Sequence, residues 1–257
     1  MGSQTYEQKR KSFQIMDWRI GCSGFQYKEW KDIFYPQGIP QTKWFEFYCT
    51  QFNCLELNST FYSFPKVTTL LKWYDRSPAD FVFSVKAPQT ITHFKRFKEC
   101  DELLDGFYQN LQEGLKEKLG VVLFQLPPSI IYSNEMLDNI LKQLNRNFKN
   151  VIEFRHPSWW NAEVFKTLSD NEITFSGVSH PKMPSEIIHN HSVLYYRLHG
   201  VPVMFKSEYS KQVIQDLYQE LELIKNVKEV YVLFNNTWGI AGVINARQLK
   251  GFLNISH

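Results

Sequence analysis

The feature that most constrains this chain is a regular recurrence of short apolar runs rich in β-forming residues. There are eight such runs, and the mean interval between their starts is about 30 residues, which is the length that one strand-plus-helix unit needs. The runs are Trp18–Cys22, Cys54–Leu57, Phe81–Val85, Val121–Phe124, Val151–Phe154, Ile173–Phe175, Val193–Leu198 and Val230–Phe234.

Helix-like segments separate most of these runs. Apolar residues three and four positions apart predict amphipathic helices over the segments Thr42–Gln51, Thr68–Arg76, Glu135–Asn145 and Lys211–Lys225. Alternating strands and helices form a parallel sheet, and eight units in 257 residues fit a closed, TIM-like (β/α)8 barrel. An open doubly wound sheet is the alternative, but the turn Gly21–Phe25 lacks the third glycine of a dinucleotide-binding fingerprint. We therefore predict a single α/β barrel domain over residues 17–257, preceded by a flexible arm over residues 1–16.

Composition and charge limit the class of protein further. Hydrophobic residues make up 43% of the chain, enough for a sizeable core, and the net charge of +3 permits a nucleic-acid partner without requiring one. No stretch approaches the roughly 18 apolar residues of a membrane span, and the polar start does not read as a secretory signal. The four cysteines form no C-x-x-C pair, so we expect a cytoplasmic protein in which Cys22 is a buried thiol.

Nearly every predicted strand ends in polar or charged residues. The run near Ser176 fits this pattern least well. Barrel enzymes build their chemistry at the carboxyl ends of the strands. Side chains two positions apart share a strand face, which pairs Glu56 with Asn58, Glu153 with Arg155, and Arg197 with His199. Because several strands contribute, we expect these groups to converge at one mouth of the barrel.

The residue types suggest two kinds of role at that mouth. We predict that Glu56, Glu153 and His199 are catalytic, the carboxylates as acid and base and the histidine as a proton shuttle. Lys86, Arg155 and Arg197 would clamp a phosphate or carboxylate. The predicted substrate-binding set is Asn58, Tyr62, Lys86, His93, Gln125, Arg155, His156, Arg197 and Asn235.

No cofactor motif is evident, since the chain has neither a P-loop nor a G-x-S-x-G elbow. His156, His199, Glu56 and Glu153 are chemically adequate ligands for a divalent metal. The H-E-x-x-H and C-x-x-C patterns are absent, however, so a metal site is left open with a low expectation.

Tryptophans fall in the predicted loops near the same mouth. The four residues are Trp30, Trp159, Trp160 and Trp238. In one alternative they form an exposed rim, together with Phe61 and Tyr62, that stacks on a sugar or a base. In the other alternative they pack beneath long loops. The sequence leaves both alternatives open.

Read in order, these motifs resemble the YecE-like family, also called domain of unknown function 72, over roughly residues 18 to 250. The segments that carry the resemblance are Ile20–Phe25, Phe34–Pro36, Leu57–Tyr62, Lys86–Pro88 with Ile91–His93, Phe124–Pro128, Glu153–Trp159, Tyr196–Gly200 and Phe234–Asn236. The resemblance implies a TIM-like barrel. Because the family has no established activity, it implies fold far more than function.

The sequence-based hypothesis is an enzyme that performs acid–base chemistry on a small anionic or polyhydroxylated substrate. A phosphodiester-processing or nucleic-acid-binding barrel and a non-catalytic ligand-binding barrel are the alternatives. A fourth interpretation is that the charged residues form internal ion pairs, such as Glu153 with Arg197, that only brace the barrel. The substrate, the reaction class and the oligomeric state do not follow from the sequence.

Overall fold

Eight parallel strands close into a barrel in the computed structural model, which describes residues 16–255. The strands are β1 (Asp17–Ser23), β2 (Cys54–Leu57), β3 (Val82–Lys86), β4 (Leu119–Gln125), β5 (Asn150–Glu153), β6 (Thr174–Ser179), β7 (Val193–Leu198) and β8 (Glu229–Phe234). Each strand pairs with its neighbour in the sequence, and β8 pairs with β1 from Asp17↔Glu229 to Cys22↔Phe234. The prediction of a closed TIM-like barrel is therefore confirmed, and the open sheet is wrong.

Helices cover the outside of the barrel. They are α1 (Trp44–Gln51), α2 (Ser59–Tyr62), α3 (Val67–Arg76), α4 (Asp101–Leu115), α5 (Asn134–Gln143), α6 (Ala162–Asp170), α7 (Lys211–Glu222) and α8 (Ala241–Ile255). The four predicted helices correspond to α1, α3, α5 and α7. Three helices begin with a side-chain cap in which Ser133, Asn161 or Ser210 accepts a backbone N–H, which fixes where they start.

The barrel interior changes from apolar to polar along its axis. Its apolar part is a cluster of eight buried residues, Cys54, Val121, Leu123, Val151, Val193, Tyr195, Tyr231 and Leu233. Two positions further along β7 from Tyr195, the interior position is Arg197, and Glu56 and Glu153 lie near the ends of their strands. The strand period of two thus carries charged side chains to the carboxyl-end mouth, where they need partners because they are buried.

Strand β6 is longer than the sequence predicts. The predicted run stops at Phe175, and the two residues that follow it are the small residues Ser176 and Gly177. In the structure Gly177 lies within the strand, and a Cβ there would come within 2.6 Å of the Tyr196 ring. The glycine therefore permits close packing, and the strand continues to Ser179.

The remaining sequence expectations concern the arm, the cysteines and the membrane. Residues 1–15 of the predicted arm lie outside the described residues, whereas Met16 packs against the core. Cys22 is a buried free thiol, as are the other three cysteines. No helix within residues 16–255 is long and apolar enough to cross a membrane.

Candidate functional site

Arg197 joins two buried carboxylates across the barrel mouth. Its Nη2 donates to Glu56 Oε1 and its Nη1 to Glu153 Oε2, each at 2.6 Å. The arginine side chain is 1% exposed and both carboxylates are 0% exposed. Burial alone would lower the pKa of Arg197, but Glu153 and Glu56 raise it above its ordinary value. One cation therefore connects β2, β5 and β7.

Glu56 is hydrogen-bonded on both of its carboxylate oxygens. Ser23 Oγ donates to Oε1 at 2.6 Å, and the Tyr195 hydroxyl donates to Oε2 at 2.7 Å. The Tyr195 hydroxyl also lies 2.7 Å from Ser84 Oγ. This carboxylate is therefore held by Ser23 of β1 and by Tyr195 and Arg197 of β7, while Ser84 of β3 contacts only the Tyr195 hydroxyl.

Glu153 faces the two arginines and a histidine. Arg155 Nε donates to its Oε1, while Oε2 accepts from Arg197 and lies 3.5 Å from His199 Nε2. Burial raises the pKa of this carboxyl, but Arg155 and Arg197 outweigh burial and hold the pKa well below its usual range. Glu153 is therefore ionised at neutral pH although it is buried.

His199 is a buried, neutral imidazole beside that carboxylate. Burial, with Arg155 and Arg197, lowers its pKa to about 3 against the opposing effect of Glu153. Its Nδ1 lies 2.9 Å from Asn235 Nδ2, and its Nε2 lies 3.1 Å from Arg155 Nη2. Both neighbours present N–H donors and a neutral imidazole has a single acceptor nitrogen, so only one of these two contacts is a hydrogen bond with the side chains in this orientation.

Lys86 is the last residue of strand β3 and also lies at the barrel mouth. Its Nζ donates to Gln125 Oε1 at 2.8 Å and lies 4.0 Å from the centre of the Phe61 ring. Burial, followed by the positive charge of Arg197, lowers the pKa of Lys86 to about 8. The ammonium is thus held by a neutral amide and an aromatic face.

Arg155 is a cation that acts electrostatically on four other titratable side chains of the barrel mouth. Its side chain is 12% exposed, and its charge lowers the pKa values of Lys86, His93, His180 and His199. Burial is the larger cause in each case, and it lowers the pKa of His180 to about 4. Lys86 ends β3 and His93 follows it, His180 follows β6 and His199 follows β7, so three strand ends contribute titratable groups to the barrel mouth around Arg155.

The sequence missed His180 as a member of this group. Its ring lies 5.7 Å from that of His199, directly after the end of β6. The pattern of a polar residue after each strand end could have predicted His180, but only with a β6 strand that continues past Gly177. His180 therefore supplies the strand-end group that the sequence lacked for β6.

Not every predicted residue joins the cluster around Arg155 and Arg197. His156 Nδ1 accepts from the Ser158 backbone N–H at 3.2 Å and contacts its Oγ at 2.8 Å, so this imidazole caps a local turn. Tyr62 is 76% exposed and meets the Phe61 ring edge-on at 5.0 Å. The Asn58 side chain lines a cavity of about 230 Å³ that also reaches Glu56.

The aromatic rim hypothesis is wrong for two of the tryptophans. Trp30 and Trp159 are 0% exposed, and their indole N–H groups donate to Gly239 O and Ile130 O at 2.7 and 2.9 Å. They pack beneath the loops because a large ring with a satisfied N–H is most stable when buried. Trp238 is 67% exposed, so it remains available at the surface.

A metal site receives no support from side-chain clustering. Within residues 16–255, no group of three or more His, Cys, Asp and Glu side chains is arranged to hold a metal ion. Of the four candidate ligands, His156 is committed to its turn and Glu56 to its hydrogen bonds. The metal therefore stays an open sequence-based prediction.

A larger cavity, of about 490 Å³, lies at the opposite end of the barrel. It is lined by residues at the start of β4 and just before β5, including Leu119, Gly120 and Lys149. None of the strand-end groups around Arg155 borders it. The chemistry-bearing cluster and this cavity are therefore at different ends of the barrel.

Comparison with known proteins places this arrangement in a family. Residues 19–257 match the family described as "Protein of unknown function DUF72". The chain belongs to the DUF72 family. The DUF72 chain is 27% identical to UPF0759 protein YunF of Bacillus subtilis over 88% of its own length and 92% of YunF. It is 32% identical to UPF0759 protein YecE of Escherichia coli K12 over 51% of its length and 53% of YecE.

A solved DUF72 structure supports the same fold. The DUF72 family protein from Thermotoga maritima superimposes with a TM-score of 0.84 at 28% identity, covering 93% of this chain and 99% of that one. The resemblance predicted from the motifs is thus confirmed. These comparisons establish the family and the barrel and assign no reaction to either.

Proposed function

We propose that this DUF72 barrel is an enzyme that binds a small anionic substrate at its carboxyl-end mouth and performs acid–base chemistry on it. The observation that carries the proposal is the position of Arg155. This partly exposed cation is braced from below by Glu153 and faces titratable side chains from several other strands. A purely bracing ion pair does not require neutral histidines around it.

The charge of the cluster favours an anion. Lys86, Arg155 and Arg197 are cationic, whereas Glu56 and Glu153 are anionic, and the low pKa of His199 leaves that ring neutral. The cluster therefore carries one net positive charge in a partly desolvated cleft. A carboxylate or phosphate on the substrate would neutralise it, and the planar guanidinium of Arg155 suits either group. The side-chain amides of Gln125 and Asn235 would hydrogen-bond to hydroxyl groups of the substrate.

Glu153 and His199 are the best-placed pair to hold a proton. Glu153 is ionised and lies 3.5 Å from His199 Nε2, so it would stabilise the imidazolium form. Without a bound anion, burial and, to a smaller extent, the two arginines keep the pKa of His199 low. A bound anion beside Arg155 would offset that positive field and raise the pKa of the imidazole toward the range of a useful base.

A metabolite-consumption screen tests the proposal. The protein would be incubated with mixtures of small carboxylates, phosphates and sugar acids, and consumption followed by mass spectrometry. The variants are Glu153→Gln, His199→Ala and Arg155→Gln, with Lys72→Met on the exposed face of α3 as the matched control. We expect one compound class to be consumed by the native protein and the control, and at least 100-fold more slowly by Glu153→Gln and His199→Ala.

Three outcomes would contradict the proposal. Equal turnover by all variants would remove the cluster from the chemistry. Binding of a ligand without its consumption would favour the non-catalytic barrel. Binding of single-stranded oligonucleotides that weakens steeply with salt, without small-molecule turnover, would favour the nucleic-acid alternative.

A further inference from the structure

We propose that Lys86 is a nucleophilic amine that forms an imine with a carbonyl group of the substrate. The inference rests on the proposed function and narrows its substrate class to small aldehydes or ketones that carry a carboxylate or phosphate. Lys86 would then be a catalytic residue, and Arg155 would hold the anionic end of the same molecule.

The fold directs the Lys86 side chain into the mouth. Lys86 is the last residue of β3 and shares a strand face with Ser84, whose hydroxyl contacts Tyr195 inside the barrel. Thr60 Oγ1 donates to the Lys86 backbone carbonyl at 2.6 Å, which fixes the strand end. The amine is therefore presented on a rigid element at the end of the barrel where active sites are built.

The amine lacks the partners that a structural ammonium has. Within residues 16–255, no carboxylate oxygen lies within 4.0 Å of Lys86 Nζ. Its described hydrogen bond is to the neutral Gln125 side chain, which is oriented by its own Nε2–H donating to Leu126 O at 2.9 Å. The Phe61 ring covers another side of the amine at 4.0 Å.

Lys118 shows what a structural buried lysine looks like in the same protein. Its Nζ donates to Tyr74 O, Ser77 O and Ser77 Oγ at 2.7, 2.8 and 3.0 Å, which uses all three ammonium protons. Lys86 has protons left over and a cationic neighbourhood instead. The contrast indicates that Lys86 is placed for exchange with a ligand rather than for bracing.

The electrostatic environment supports the same role. Burial and the nearby arginines lower the pKa of Lys86 to about 8, so roughly a tenth of the amine is neutral at pH 7. An ordinary lysine has on the order of 0.1% or less in that form. The nucleophilic fraction is therefore raised more than 100-fold by the surroundings.

The step balances without an oxidant or a reductant. The ammonium gives one proton to solvent, its nitrogen attacks the carbonyl carbon to form a C–N bond, and one further proton moves from nitrogen to oxygen to give a carbinolamine. The carbinolamine oxygen then takes back one proton from solvent and leaves as water when the C–O bond breaks, and the nitrogen lone pair forms the C=N bond of the protonated imine. The imine withdraws electrons from the adjacent carbon and so makes a proton on that carbon more acidic.

Reductive trapping tests the inference. The full chain would be incubated with glyoxylate, pyruvate or dihydroxyacetone phosphate, reduced with sodium borohydride, and mapped by peptide mass spectrometry. Dihydroxyacetone is the uncharged control substrate, and Lys72→Met is the control variant. We expect a single stoichiometric adduct on Lys86 for at least one anionic carbonyl compound, at least a 10-fold lower yield with Arg155→Gln, and no adduct at position 86 in Lys86→Arg.

Lys86→Arg separates the nucleophile from the charge. This variant keeps the cation, so anion binding at the cleft should remain while trapping is lost, and retained cooperative unfolding would show that it folds. Trapping confined to exposed lysines would overturn the inference. If Lys86 does not trap but Glu153 and His199 still govern turnover, the imine is wrong and the acid–base proposal stands. If Lys86 traps without any consumption, the imine stands and the acid–base proposal is wrong.

Discussion

Arg197 donates 2.6 Å hydrogen bonds to both Glu56 and Glu153, and so connects β2 and β5 through a side chain of β7. Strands β2 and β5 are not neighbours in the sheet, so this bridge spans the barrel rather than a strand pair. The same bridge holds Glu153 where it can orient Arg155 and His199. The stability of the barrel mouth and the geometry of the candidate site are therefore linked.

Arg197→Met should destabilise the fold strongly. Removing the cation leaves two ionised carboxylates buried against each other, and breaking one partner of a buried pair costs about 3–5 kcal/mol. Urea unfolding measures the change. The triple variant Arg197→Met, Glu56→Gln, Glu153→Gln should recover a large part of the loss because it removes the orphaned charges. A loss below about 1 kcal/mol for the single variant would show that the bridge contributes little.

Stability should fall as the solution is made acidic, partly because of His199. Its folded pKa of about 3 lies below the unfolded value of 6.5, so between these pH values only the unfolded chain binds the proton. The native protein should lose about 2 kcal/mol from this residue between pH 7 and pH 5, and His199→Gln should remove that part of the loss. Glu153, whose pKa is depressed, adds a further loss below about pH 4.5. Parallel urea titrations of both proteins that show the same pH slope would argue against a buried neutral imidazole.

Two tryptophans should respond oppositely to truncation. Trp159 stacks on Phe154 with a centroid distance of 4.0 Å and donates to Ile130 O, so Trp159→Ala should cost about 3–5 kcal/mol. Trp238 is 67% exposed, and Trp238→Ala should change the free energy of unfolding by less than about 0.5 kcal/mol. The denaturation midpoints of the two variants, each compared with that of the native protein, measure these changes. A tolerant Trp159 would mean that its burial contributes no packing energy.

Lys86 should react with acylating reagents at lower pH than the other lysines. Its pKa of about 8 means that the reactive amine increases as the pH rises through 8, well below the ordinary lysine value of 10.5. Competitive labelling with isotope-coded reagent at several pH values measures the midpoints of Lys86 and of the exposed Lys72 in one sample. Arg155→Gln should shift the Lys86 midpoint upward, since it removes a like charge. Coincident midpoints for Lys86 and Lys72 would rule out the proposed environment.

The fold was predictable because its signal is repeated. Eight runs at a mean spacing near 30 residues favoured a closed barrel even though individual bounds were imprecise, as at Phe81 or Asn150. Strand β6 was predicted to stop at Phe175, before the small residues Ser176 and Gly177, and only the ring of Tyr196 in the next strand explains why glycine is needed at position 177. His180 was lost from the predicted site for that reason.

The composition of the site was predicted better than its bonding. Strand period two places Glu56, Glu153 and Arg197 at one mouth, but it does not show that Tyr195 and Ser23 occupy the oxygens of Glu56. Hydrogen bonds depend on side-chain rotamers and on the barrel's stagger, which a single sequence does not specify. The same limit explains why the cap made by His156 was not foreseen.

The affinity of the barrel mouth around Arg155 for small anions decides whether this protein binds an anionic substrate there. Inorganic phosphate and pyruvate would be titrated by calorimetry into the native protein, Arg155→Gln and the Lys72→Met control at low ionic strength. We expect saturable one-to-one binding of at least one of these anions to the native protein and to the control, with an affinity at least 10-fold weaker in Arg155→Gln. Absence of saturable binding, or equal affinity in Arg155→Gln, would contradict the proposed anion binding.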